Sequence, residues 1–92
     1  MARLEEDEIE EQLGAVDGWS RRGDAIEKVF DRGNFVGAVD LVYAIVPAAE
    51  ELYHHPDLAI SWSKVTVTIT THSEGGLTSN DFELARKIDA AA

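Results

Sequence analysis

Residues Lys64 to Thr71 alternate without a break: Val65, Val67 and Ile69 fall between Thr66, Thr68 and Thr70. Successive strand side chains point to opposite faces, so the pattern predicts a half-buried strand with one apolar and one polar face. A sheet of such strands needs a cover on one side only. That cover is legible upstream, where Phe35, Ala38, Val39, Val42, Ile45, Val46, Ala49 and Leu52 recur at helical spacing. Pro47 removes one helical hydrogen bond, so the spacing predicts one helix over Phe35 to Leu52 with a kink between Tyr43 and Pro47.

The remaining elements follow from the same two periods. Leu4, Ile9 and Leu13 in an acidic background predict an amphipathic helix over residues 4–13. Its run of acids suits a first turn, where the helix dipole favours negative charge. Trp19 to Arg21 and Ala25 to Phe30 read as strands around a turn at Arg22-Gly23-Asp24. Leu58 to Trp62 reads as another strand, and His54 to Asp57 as a loop. Thr78 with Asp81 three residues on has the form of a capping box, opening a last helix that buries Leu84, Ala85 and Ile88. The order is helix, two strands, helix, two strands, helix. It predicts an α+β, two-layer domain: a four-stranded antiparallel sheet with three helices packed on one face.

Ninety-two residues fit a single domain, 1–92, with one core and one shallow site. A chain this short buries only about 60–65% of its unfolded surface, which makes a homodimer or homotetramer a reasonable expectation. The absence of cysteine excludes disulfides, thiolate metal sites and a cysteine nucleophile. Eighteen acids against eight bases give a formal charge of −10, which argues against nucleic-acid binding. No apolar run reaches the ~20 residues of a membrane helix. Nor does the N-terminus have the basic start and apolar stretch of a signal peptide, so a cytoplasmic location is expected.

All three histidines, His54, His55 and His72, fall within one short stretch. Histidine both gives and takes protons near neutrality, so a converging set is a candidate acid–base site. Adjacent residues of an extended segment point apart, so His54 and His55 face one substrate atom only if their loop turns. Three histidines also raise the question of metal. No His-x-His or His-Glu-x-x-His spacing is present, which argues against a metal site. Asp81 and Glu50 are the nearby carboxylates that could fix a histidine tautomer, although Asp81 could simply complete a helix start and Glu50 could be a surface acid. Trp62 could wall a planar ligand, but burial statistics favour a core aromatic.

The segment Glu50-Glu51-Leu52-Tyr53-His54-His55-Pro56, then Trp62-Ser63-Lys64-Val65, Thr71-His72, and Gly76-Leu77-Thr78 with Asp81, resembles the pterin-4a-carbinolamine dehydratases. The pattern is a glutamate, then His-His-Pro, an aromatic six residues after that proline, Thr-His, and Gly-Leu-Thr/Ser followed by aspartate. The chain departs from it at Tyr53, where the family usually has Asn or Asp, at Trp62, often Tyr, and at Pro47. The resemblance implies dehydration of 4a-hydroxytetrahydropterin to quinonoid dihydropterin in tetrahydropterin recycling, without metal or organic cofactor, by a homo-oligomer. It assigns His54 and His72 as the principal proton-transfer pair. His55 becomes a second acid or base, or a pterin holder. Asp81 and Glu50 are supporting residues, and Trp62 and Pro56 contact the substrate. The alternatives are a non-catalytic binding or assembly protein of the same fold, and a metal-assisted hydrolase.

Overall fold

The computed structural model describes residues 2–92. The chain runs α1 (Glu6–Gly14), β1 (Ser20–Arg22), β2 (Ala25–Asp31), α2 (Phe35–Leu52), β3 (Asp57–Ser61), β4 (Lys64–Ile69) and α3 (Ser79–Ala91), with a 3₁₀ turn at His72–Glu74. The four strands form one antiparallel sheet in the order β1-β2-β4-β3. The pairing Ile26↔Ile69 and Phe30↔Val65 puts the buried residues of the two central strands on one face. Ile9 of α1, Leu41 and Ile45 of α2, and Phe82, Leu84 and Ile88 of α3 join them in a single core. Three helices therefore cover one face. Each large apolar side chain so buried contributes about 1.5–3 kcal/mol, against the entropy of ordering it. The threonines of β4 line the other face, where Thr68 donates to Glu27 at 2.9 Å.

Several element ends differ from the periodic reading, each for a local reason. Helix α1 starts at Glu6 because Glu5 caps it, its N–H donating to the Glu8 carboxylate at 2.9 Å. Leu4 is instead strapped to the Leu77 carbonyl at 2.8 Å. Trp19 precedes β1 and turns into the core, where its indole N–H reaches Asp89 at 3.0 Å. β4 leaves the ladder after Ile69, and Thr71 pairs only with Gly76 in an isolated bridge.

Helix α2 spans Pro47 as one helix. Pro47 and Tyr43 both lie on its exposed side, so water can reach the carbonyl that lacks its helical donor. Trp62 is not a core aromatic. It occupies the two-residue turn between paired Ser61 and Lys64, with φ of 53° and 72% of its surface exposed.

Candidate active site

The end of α2 determines where the first histidine goes. Tyr53 adopts the left-handed conformation (φ 50°) just past the helix. Its N–H reaches the Glu50 carbonyl at 3.2 Å, and the His54 N–H reaches the Ala49 carbonyl at 3.1 Å. These are the two bonds of a Schellman motif, which reverses the chain at a fixed angle. His54 is thereby held at the helix terminus, with its side chain 12% exposed.

The His54 ring points at α3. Its Nε2 lies 2.5 Å from Oδ1 of Asp81, whose side chain is 0% exposed. Asp81 plays both parts open to it at once. Its Oδ2 accepts from the Thr78 N–H at 2.8 Å, completing the helix start, while Oδ1 takes the histidine. Oδ2 also accepts from the Thr71 hydroxyl at 2.9 Å. Burying a carboxylate is costly unless it is fully hydrogen-bonded, and this one has three partners. No buried side-chain nitrogen or oxygen among the described residues lacks a partner.

His55 points elsewhere, as adjacency predicts. Its Nε2 pairs with Glu50 Oε2 at 2.5 Å on the surface. With Glu50 and Pro56 it borders a groove whose apolar wall includes Ile45, Val46 and Leu58. His72 opens the 3₁₀ turn directly after Thr71, whose hydroxyl is 3.5 Å from His54 Nε2. The His72 ring is exposed, beside a depression formed with Arg22, Asp24, Thr70 and Gly75. Asp57 pairs with Thr68, so the His54-His55-Pro56 loop and the exit of β4 share one end of the sheet. A separate concavity against α1, lined by Arg3, Glu6, Arg21 and Asp24, carries no histidine, and Arg21 there is engaged with Glu6 at 2.6 Å.

Trp62 is not brought to this end. It lies six residues beyond Pro56 along β3, about 20 Å away at the usual strand rise. Within one protomer Trp62 and the histidine loop therefore stand at opposite ends of β3. Spacing singled out Thr78 only as the cap of the last helix and gave Thr71 no role; their hydroxyls lie 2.9 Å apart and complete the surroundings of Asp81. Their only signal in the sequence was position, one before a histidine and one at a helix cap. Among the described residues, no three His, Cys, Asp or Glu are grouped as a metal site would require.

The sequence model of the family described as pterin 4 alpha carbinolamine dehydratase matches residues 2–91. The chain belongs to that family. A Sulfolobus acidocaldarius protein provisionally named pterin-4-alpha-carbinolamine dehydratase is 45% identical over 87 residues, 95% of this chain and 96% of the other. A Roseiflexus sp. (strain RS-1) protein of the same provisional name is 48% identical over 87 residues, 95% and 94% of the two chains. Among solved structures, the transcriptional coactivator/pterin dehydratase from Brucella melitensis superposes with a TM-score of 0.92 at 39% identity, covering 98% of each chain. A pterin dehydratase-like RuBisCO assembly factor of the alpha-carboxysome shares the fold, with a TM-score of 0.65 at 20% identity over 80% of this chain and 86% of that one. In this dehydratase-family chain the His-His-Pro, Thr-His and Gly-Leu-Thr elements all meet at one end of the sheet.

Proposed function

We propose that the protein dehydrates 4a-hydroxytetrahydropterin to quinonoid dihydropterin by histidine acid–base catalysis. The observation that carries this reading is the pairing of His54 with buried Asp81, next to His55 paired with Glu50, in a chain of the pterin carbinolamine dehydratase family. The reaction needs two proton movements. The bond from C4a to its hydroxyl oxygen breaks, and an acid supplies the proton that lets the oxygen leave as water. The N5 proton passes to a base, and the electron pair of that N–H bond forms the new N5=C4a double bond. No redox partner is required. Each positioned acid or base typically gives 10²–10⁴-fold.

In this reading His54 and His72 are the principal pair, and His55 is a second acid or base or holds the pterin. Asp81 orients His54, Glu50 supports His55, and Pro56 shapes the rim. A carboxylate on one imidazole nitrogen fixes the ring and raises the basicity of the other nitrogen, so the two carboxylates support this division of roles.

The reading includes a homo-oligomer. β3 is an edge strand, and it leaves Leu58 and Ile60 partly exposed. Phe35, Val36, Val39, Tyr43 and Val46 are exposed along α2. Unpaired edges and contiguous apolar surface of this kind are normally covered by another chain.

The test generates 4a-hydroxytetrahydropterin in situ with an aromatic amino-acid hydroxylase and follows its decay in the near ultraviolet. The wild-type protein is expected to accelerate decay well above buffer. Decay equal to buffer overturns the reading and leaves a binding or assembly role.

A further inference from the structure

Around His54 the number of hydrogen atoms is limited, and that limit decides which ring nitrogen is protonated. Thr71 has one hydroxyl proton. Its oxygen lies 2.9 Å from Asp81 Oδ2, 2.9 Å from Thr78 Oγ1 and 3.5 Å from His54 Nε2. An ionised carboxylate only accepts, so the Thr71 proton goes to Asp81. The Thr71–Thr78 contact then requires the Thr78 hydroxyl to donate to Thr71. Both threonine protons are thereby committed. His54 Nε2 faces two oxygens, Asp81 Oδ1 at 2.5 Å and Thr71 Oγ1, and neither has a proton left to give. Nε2 must therefore donate.

The other nitrogen is equally constrained. Every buried side-chain nitrogen or oxygen among the described residues has a hydrogen-bond partner. His54 Nδ1 has no hydrogen-bond partner among the described residues, so it is not one of the buried atoms and is open to solvent. We infer that Thr71 and Thr78 are positioning residues which, through Asp81, hold neutral His54 as the Nε2–H tautomer and leave Nδ1 to exchange the proton with substrate. The arrangement is the reverse of the serine-protease triad, where the carboxylate holds Nδ1 and Nε2 reacts. Thr78 couples the device to the fold, because the same residue caps α3 and its N–H holds Asp81 Oδ2 at 2.8 Å. The identity of the proton moved rests on the dehydratase reading; the tautomer does not.

The test is a two-bond proton–nitrogen correlation spectrum of uniformly ¹⁵N-labelled protein with neutral histidines, run beside the dehydration assay. Wild-type His54 is expected as a single tautomer, with Nε2 protonated and Nδ1 bare. Thr71→Val removes the donor that fixes the rotation of the Asp81 carboxylate. It is expected to give mixed tautomers and to lower kcat about ten- to hundredfold with little change in KM, the usual cost of losing an outer partner of a working imidazole. Thr71→Ser keeps the hydroxyl and is expected to restore both the spectrum and kcat. If Thr71→Val does not fold, the wild-type and Thr71→Ser spectra still decide. A wild-type His54 protonated at Nδ1 overturns the inference. So does a folded Thr71→Val protein with the wild-type spectrum and turnover. A locked Nε2–H tautomer in a protein that does not dehydrate the pterin upholds the positioning device and fails the dehydratase reading alone.

Discussion

Tyr53 shows how one residue can serve the site while opposing the fold. The Schellman turn requires a left-handed residue there, a conformation that glycine and asparagine adopt readily and that costs a bulky side chain about 1 kcal/mol. Tyr53 recovers little of that by packing, because it is 89% exposed. Tyr53→Asn is therefore expected to stabilise the protein by about 0.5–1 kcal/mol, a rise in melting temperature of roughly 2–8 °C for a domain this size. A lower melting temperature would show that the tyrosine ring makes a contact that outweighs the strain. At this scale the sequence was partly legible. Asp81 and Glu50 were identifiable as carboxylates near histidines, but which histidine each would take depended on the turn at Tyr53, which directs His54 inward and leaves His55 outside. Thr78 was legible as a helix cap, but its contact with Thr71 was not, nor was that of Thr71 with Asp81, because these partners lie seven and ten residues from Thr71 and meet it only once α3 docks.

Among the elements, the long periodic ones were read directly and the short ones were displaced by capping and turns. Helix α2 has the bounds its apolar spacing predicts, since eighteen residues of consistent period outweigh one proline on the exposed side. β3 shifts by one residue because Trp62 is taken by the hairpin turn, and neighbouring Ser63, itself buried, accepts the Arg32 N–H on its carbonyl at 2.8 Å. Helix α1 contributes only one fully buried residue, Ile9, so its attachment depends more on polar contacts. Glu6 and Arg21 make a two-pronged pair at 2.6 and 2.9 Å, linking α1 to β1. The hydrogen bond from Arg21 holds the Glu6 carboxyl below its ordinary pKa. A carboxylate whose pKa is lowered by folding stabilises the fold above its unfolded pKa, and that contribution disappears as pH falls through the folded value. Amide exchange in α1 is accordingly expected to accelerate on acidification below the usual carboxylate range, and in high salt near neutrality, before exchange in α2 changes. Simultaneous loss of protection in both helices would contradict this.

For the whole molecule, a charge of −10 on 92 residues coexists with partly exposed apolar residues on the edge strand and an exposed apolar stripe on α2. Composition could suggest that so small a core gains from association; it could not say which surfaces associate. In solution the protein is expected to run as a dimer or tetramer by light scattering. Ile60→Lys, which charges the edge strand, is expected to lower the mass toward the monomer if β3 forms the contact. A monomeric wild type would show that these apolar surfaces are not covered by a second copy. Whether the histidines at one end of the sheet move protons on a reduced pterin is tested by the decay of in-situ 4a-hydroxytetrahydropterin with wild type and with His72→Ala. His72 makes no hydrogen bond or ion pair through its ring among the described residues and is exposed, so its removal leaves the fold intact. Rapid decay is expected with wild type, and a loss of about 10²-fold or more in the folded variant. Equal acceleration by both proteins would take His72 out of the catalytic pair, and no acceleration by wild type would mean that the histidines do not dehydrate this pterin.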